Sequence, residues 1–283
     1  MKKVFLRELL ESGIIFLENH GIKEPRRNAE IILSHILNKP CYYIYTENLP
    51  VSPTIITAYN KILKERGKHI PLQYLLKTVN FYGYNFFIEE GVFIPRPETE
   101  ILIEKAVEIY KRCLTSLSRI KILDIGTGSG NIAISLLREI KTCYAIATDI
   151  SENAIKIANY NAKTNRVKSR IKFLQTDIFP PRINKFHMIL SNPPYIPNFE
   201  ISSLDREVGR EPITALAGGD DGLNIIKKII ERADMFLYSN GFLLMEIGDK
   251  QGKDIKKMRS SLDLLTIEKD FAGIERIAVF HKK

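Results

Sequence analysis

Cysteine, histidine and long apolar runs are all scarce in this 283-residue chain. Its three cysteines, Cys41, Cys113 and Cys143, lie far apart and form no Cys-x-x-Cys pair, which argues against a disulfide framework or a zinc site. The five histidines include no His-x-x-x-His pair, so a metal-dependent hydrolase has little support and no metal is expected. The longest apolar runs, such as Gly241–Met245, fall far short of the roughly 20 residues that a membrane-spanning helix needs. After Met1-Lys2-Lys3, the charges of Arg7, Glu8 and Glu11 interrupt what would have to be a signal region. A soluble cytoplasmic protein is expected. At 45% hydrophobic and 27% charged residues the composition is globular, which excludes wholesale disorder. The net charge of +9 suits an acidic partner such as nucleic acid or a ribosomal component. The basic residues are spread along the chain, however, so the charge alone decides little.

Up to about residue 75, apolar residues recur at helical spacing. Leu6, Leu9, Leu10, Ile14 and Leu17 predict one helix, and Ala29, Ile32, Leu33 and Ile36 predict a second starting near Pro25. Ser52-Pro53 supplies an N-cap and a first-turn proline for a third, closed at Gly67. Residues 1–75 are therefore expected to form a helical domain. The aromatic, alternating stretch 79–94 reads as a β-hairpin, placing a linker at 76–96. From Ile120 onward strands alternate with helices, the strands being expected at 120–124, 143–148, 171–175, 187–191, 241–246, 264–269 and 275–281. This alternation predicts an α/β fold, a doubly wound parallel sheet occupying 97–283, with its last two strands as an antiparallel pair.

The first of these strands runs into Asp124-Ile125-Gly126-Thr127-Gly128-Ser129-Gly130. Neither the dinucleotide fingerprint nor the Walker A pattern fits, because Asn131 stands at the sixth position and no Gly-Lys-Ser/Thr follows. Glycine at every second place, with Asp124 at the base to accept from a cationic amino group, suits a cofactor without a pyrophosphate. Asp149 ends the second strand, where an acid can accept both hydroxyls of a ribose. Asp177 follows the third strand and can accept from an adenine amino group, with Ile178 packing on the ring. Loop, ribose acid and adenine site together point to S-adenosylmethionine in a Rossmann-like class I methyltransferase sheet. Helix caps and a tight turn are the plain alternative for each residue taken singly.

Asn192-Pro193-Pro194-Tyr195 follows the fourth strand directly. The nitrogen of an amide or aromatic amine is a poor nucleophile because its lone pair is delocalised. Two acceptors holding its hydrogens can aim that lone pair at a methyl group and favour the developing positive charge. The Asn192 side-chain oxygen and the Pro193 carbonyl can fill these places. The prolines stiffen the backbone and remove local donors, and Tyr195 can pack against a planar target. Catalytic roles therefore fall to Asn192, Pro193 and Tyr195. By chance this tetrapeptide would occur at roughly the 10⁻³ level in a chain this long.

With these motifs the chain resembles the HemK/PrmC group, the protein-(glutamine-N5) methyltransferases of bacterial peptide chain release factors. Matching stretches are Ile70–Tyr74, Phe93–Glu100, the glycine loop, Ser191–Pro197, Glu211-Pro212 with Ala215–Leu223, and Asp270–Gly273. The resemblance implies methylation of the glutamine in the Gly-Gly-Gln loop of a release factor. It implies S-adenosylmethionine as donor and S-adenosylhomocysteine as product; no membrane or metal is expected, no direct nucleic acid is required, and a monomer is expected. Cofactor residues carry over onto Gly126 to Gly130, Asp149, Asp177, Ile178 and Asn192, and substrate residues onto Asn192, Pro193, Pro194 and Tyr195. The helical domain would then recognise the protein substrate. Some members carry tryptophan where this chain has Ile178, so stacking on adenine should be weaker here. A nucleic-acid methyltransferase acting on adenine N6 or guanine N2 is the main rival, since an exocyclic amine poses the same geometric problem. A ribosomal-protein glutamine methyltransferase is a nearer one, disfavoured by Arg96-Pro97-Glu98-Thr99-Glu100.

Overall fold

Leu6, Leu9, Leu10, Ile14 and Leu17 form one buried stripe along α1 (Leu6–Asn19), the pattern of a helix with a single apolar face. In the computed structural model, which describes residues 3–283, it packs with α2 (Pro25–Leu37), α3 (Tyr43–Thr46), α4 (Pro53–Arg66) and α5 (Leu72–Leu76). The Ser52 side chain caps α4 by accepting from the Ile55 N–H. Leu17, Ile32, Leu33, Ile44 and Tyr59 are fully enclosed at the centre of this bundle. Its compact unit reaches Thr78 and also takes in Asp205–Arg210, a piece of chain absent from the range 1–75 expected from sequence. There the buried Arg66 donates to Asn28 Oδ1 at 2.7 Å, to the Ile70 carbonyl at 3.2 Å and to Glu207 Oε1 at 2.7 Å. A guanidinium 3% exposed tolerates burial because its donors are matched by a carboxylate and two neutral acceptors.

The second unit comprises Val79–Leu204 and Glu211–Lys283. It opens with the hairpin strands β1 (Thr78–Phe81) and β2 (Tyr84–Phe87). Tyr82 and Gly83 between them both have positive φ, as a tight two-residue hairpin turn requires. The hairpin is shorter than the expected stretch 79–94: Val92 and Ile94 are buried outside any strand, and Phe93 between them is half-buried. Phe81 and Phe86 lie in the second unit's core, so the hairpin belongs to that unit and is not a free linker. A short turn at Pro97–Thr99 leads into α6 (Glu100–Ile109).

Alternating strands and helices follow: β3 (Ile120–Ile125), α7 (Asn131–Glu139), β4 (Cys143–Asp149), α8 (Glu152–Thr164), β5 (Ile171–Gln175) and β6 (Phe186–Ser191). Then come α9 (Ile213–Leu216), α10 (Asn224–Phe236), β7 (Leu237–Glu246), α11 (Gly252–Lys257), β8 (Asp263–Lys269) and β9 (Glu275–His281). The seven strands run in the order β5-β4-β3-β6-β7-β9-β8. The first five are parallel, and β9 lies antiparallel between β7 and β8. Along β3, Ile120 and Ile122 enter one apolar cluster while Leu123 and Ile125 enter the other. Burial on both faces explains why these strands read as continuous apolar runs. No helix among the described residues is long and apolar enough to cross a membrane.

Candidate active site

Strand order reverses at β3, whose neighbours are β4 and β6. Ile125 pairs with Ser191 where β3 and β6 end, and the Ser191 hydroxyl donates to the Ile125 carbonyl at 2.9 Å. The glycine loop and Asn192–Tyr195 consequently leave the sheet side by side. The Asn192 backbone oxygen lies 3.9 Å from where a Cβ on Gly126 would stand. Parallel sheets bind ligands in such a crevice, beyond the carboxyl ends of strands that diverge.

Gly126, Gly128 and Gly130 all have positive φ, so the loop coils tightly before α7. A side chain at Gly130 would strike Ile134 at 2.8 Å, whereas the space beside Gly128 is open. Asp124 braces the loop from below: its Oδ2 accepts from the Thr127 hydroxyl at 2.6 Å and the Ala133 N–H at 3.3 Å. Burial pushes its pKa up to about 7, those two hydrogen bonds oppose the shift, and the Asp149 charge adds to it. The sequence suggested that Asp124 can accept from a cationic amino group; the side chain is fully enclosed, and its Oδ1 has no hydrogen-bond partner among the described residues. Thr127 and Ser129 are likewise enclosed, each 1% exposed, and the Ser129 hydroxyl donates inward to Asn131 Oδ1 at 3.3 Å.

Asp149 accepts from the Gly128 N–H at 2.8 Å and from the Ser151 N–H at 2.9 Å, one on each oxygen. Burial raises its pKa, these backbone donors oppose the rise, and each oxygen keeps a further lone pair. The Thr176 N–H donates to the Asp149 carbonyl at 2.9 Å, so the exposed Asp177 emerges beside it. Ile178 differs from expectation. Its side chain is only 8% exposed and packs with Leu123, Ile125 and Phe179, offering no broad face to a ring. It also has φ of 56°, rare for a β-branched residue, and the Thr148 hydroxyl donates to its carbonyl at 2.7 Å. The large apolar residue that is exposed here is Ile150, 62% accessible, immediately after Asp149. Its signal was an apolar side chain following the strand-terminal acid.

Across the crevice, the Asn192 side-chain amide donates to Thr99 Oγ1 at 3.1 Å. The Thr99 hydroxyl donates in turn to Glu246 Oε2 at 2.7 Å, and the Tyr195 hydroxyl to Glu246 Oε1 at 3.3 Å. Glu246 ends β7 and is fully enclosed; burial pushes its pKa up to about 7 against the pull of Thr99, Arg276 and Tyr195. Burial also pushes the Tyr195 hydroxyl up, keeping it protonated. Glu246 was not singled out from sequence, and Thr99 only as part of the Arg96–Glu100 stretch, without a role. An acid at the carboxyl end of an apolar strand was the available signal for Glu246. Behind the tetrapeptide run Gly218 and Gly222, where a Cβ would meet the Pro194 oxygen at 2.7 Å and the Tyr195 oxygen at 2.3 Å. Gln251 donates to the Tyr195 carbonyl at 3.0 Å. Nearby, Arg96 pairs with the buried Glu211, which also accepts from the Ile94 N–H at 2.9 Å. The matching stretches around Arg96, Asn192, Glu211 and Ala215–Leu223 thus form one neighbourhood. Among the described residues, no group of three or more His, Cys, Asp and Glu side chains could hold a metal.

Known proteins carry both regions. The PrmC N-terminal domain family matches residues 8–76, and the methyltransferase small domain family matches residues 84–207. The release factor glutamine methyltransferase of Thermodesulfovibrio yellowstonii is 38% identical over 260 residues, covering 90% of this chain and 92% of its own. That of Aquifex aeolicus is 36% identical over 284 residues, covering 99% and 96%. Among solved structures, the hMettl16 catalytic domain bound to an RNA hairpin aligns with a TM-score of 0.54 at 17% identity, over 71% of this chain and 76% of its own. A methyltransferase from Pyrococcus furiosus aligns with a TM-score of 0.50 at 18% identity, over 71% and 90%. Those two structures share the class I sheet only, whereas the sequence matches run nearly end to end. The chain belongs to the HemK/PrmC family of release factor glutamine methyltransferases.

Proposed function

We propose that this protein transfers a methyl group from S-adenosylmethionine to the side-chain amide nitrogen (N5) of the glutamine in the Gly-Gly-Gln loop of peptide chain release factors. The observation that carries this reading is Asn192 beside the glycine loop, its amide nitrogen bonded to Thr99 and its oxygen left for another donor. The name borne by relatives 38% and 36% identical supplies the acceptor and favours it over nucleic acid or ribosomal protein.

The loop fits the cofactor. Open space at Gly128 admits a ligand against the backbone, and the unpaired buried oxygen of Asp124 makes the loop floor favourable for a cationic amino group. Asp149 has lone pairs to spare for ribose hydroxyls, Asp177 is free to take an adenine amino group, and Ile150 offers the apolar face that Ile178 lacks. When bound, the cofactor supplies an electrophilic methyl group on a sulfonium sulfur. The chain's own residues do the rest. Asn192 Oδ1 and the Pro193 carbonyl accept the two N–H groups of the target amide, turning its lone pair toward the methyl group. The same acceptors stabilise the positive charge that grows on nitrogen, and one N–H proton is then lost to solvent. Pro194 stiffens the segment, and Tyr195, protonated and tethered, packs against the amide plane.

The helical unit is the part of this chain we assign to release-factor recognition, and the cytoplasm is where we place the reaction. Mass spectrometry of purified release factor after incubation with the protein and S-adenosylmethionine tests the reading. One added methyl on the Gly-Gly-Gln glutamine is expected. Methyl groups appearing on RNA or ribosomal protein, with none on release factor, would keep the cofactor site and overturn the substrate.

A further inference from the structure

We propose that Glu246 and Thr99 are positioning residues that decide which end of the Asn192 side chain faces the target amide. The proposal rests on the reading of Asn192 as an acceptor for that amide. A carboxamide has an oxygen end and a nitrogen end of nearly equal size, so packing alone does not choose between them. The wrong choice would set an N–H against the N–H of the substrate. Something beside Asn192 must therefore distinguish donor from acceptor.

The hydrogen bonds behind Asn192 do this in sequence. In its ionised form Glu246 only accepts, so it then requires a hydrogen from Thr99, and Oε2 receives it at 2.7 Å. The hydroxyl has one hydrogen. With that committed, Thr99 Oγ1 can only accept, and it takes the Asn192 Nδ2 at 3.1 Å. Rotating the amide would put the Asn192 oxygen against the hydroxyl lone pairs inside a buried site. The carbonyl end is therefore held toward the crevice. The other carboxylate oxygen of Glu246 receives the Tyr195 hydroxyl at 3.3 Å. One enclosed acid thus orients Asn192 and Tyr195, two of the residues assigned to the target amide, and neither Thr99 nor Glu246 needs to touch substrate.

Glu246 is 1% exposed and Thr99 1% exposed, so solvent cannot substitute for either partner. Arg276 attracts the carboxylate and Glu98 repels it. The fold maintains this acid although its burial is unfavourable, as expected of a group retained for orientation.

Thr99→Val keeps the shape and removes the hydroxyl. We expect kcat to fall about 10- to 100-fold while the dissociation constant for S-adenosylmethionine stays within about threefold. Thr99→Ser restores the hydroxyl and should recover most of the lost kcat. Glu246→Gln, which can donate as well as accept, should lower kcat about tenfold and leave the side chain of Asn192 free to adopt both orientations. Asn192→Ala, assayed in parallel, separates this proposal from the reading beneath it. Loss of turnover in Asn192→Ala but not in Thr99→Val or Glu246→Gln would overturn the positioning role and leave the acceptor role standing. Full turnover in Asn192→Ala would overturn both. A fall in donor affinity equal to the fall in kcat, or no rescue by Thr99→Ser, would make Thr99 merely structural and also overturn the proposal.

Discussion

The two rims of the crevice are built in opposite ways. The glycine loop is shaped from within: Asp124 is bonded to residues three and nine positions along the chain, and Gly128 to Asp149 on the adjoining strand. The Asn192–Tyr195 rim is held from outside, by Thr99, Glu246, Gln251 and the backbone at Gly218 and Gly222. A locally closed loop can be moved between proteins as a motif. A remotely supported tetrapeptide acquires its chemistry only when distant segments converge on it. Damage to the first should therefore be read in donor affinity, and damage to the second in turnover or stability.

The widest separation is expected between Asn192→Ala and Asp149→Ala. The former should lower kcat by about 100-fold or more while leaving donor binding nearly intact, because it removes an acceptor needed in the transition state. The latter should weaken donor binding about tenfold or more by calorimetry, through loss of a carboxylate that accepts charge-strengthened hydrogen bonds. Equal losses of affinity in the two variants would break the comparison.

Glycine substitutions sharpen it next. In Gly218→Ala the new methyl meets the Gly222 oxygen at 2.5 Å and the Pro194 oxygen at 2.7 Å, both backbone atoms that cannot step aside cheaply. We expect about 1–3 kcal/mol of destabilisation, visible as a lower melting temperature. Gly128→Ala meets nothing within 4 Å. Its melting temperature should shift less, by the roughly 1 kcal/mol of a left-handed alanine, while donor affinity falls. A melting temperature that drops further in Gly128→Ala than in Gly218→Ala would contradict this.

The smallest effect concerns pH. Glu246 has an ordinary value of 4.5 raised to about 7, so the folded state holds its proton more tightly than the unfolded chain does. The stabilisation this gives is fully present below about 4.5 and is lost as pH rises through about 7. Replacing it by glutamine should flatten the fall of stability across that window by on the order of 1–2 kcal/mol. Arg276 opposite, Glu98 beside it and the protonated Tyr195 face the same carboxyl and set the residual slope. Activity should run the other way in the parent, rising with pH as the carboxylate forms. Thermal melts of parent and Glu246→Gln from pH 4.5 to 7.5 check the first statement, and superimposable slopes would refute it.

What was legible in the chain follows the same division. β3 and β9 were found nearly to the residue because mostly buried strands announce themselves as apolar runs between turn residues, and the edge strand β5 because turn residues bound its short run. The glycine loop and Asn192–Tyr195 were legible as contiguous motifs. Thr99 and Glu246 were not, since 147 positions separate them and only the fold brings them together. Thr127 and Ser129 looked like ligand contacts because they alternate with glycines, and no sequence rule showed that their hydroxyls turn inward. Ile178 was read as packing on the adenine ring; with a left-handed backbone and its carbonyl bonded to Thr148, its side chain is 8% exposed and lies in the core. The hairpin was overextended because Val92 and Ile94 are apolar and alternate like strand residues, yet both lie outside any strand, Ile94 with its N–H bonded to Glu211. α3, four residues long, was too short to show a period.

The carboxylate that meets Arg66 has a consequence for the order of events at the ribosome. Glu207 is 141 positions later in the chain, so the helices of the bundle are made before the carboxylate that meets Arg66. At about 5–20 residues per second, synthesis supplies the partner only on the order of 10 s afterwards. The Arg66 pairing is completed by a segment made after four of the seven strands of the sheet it interrupts.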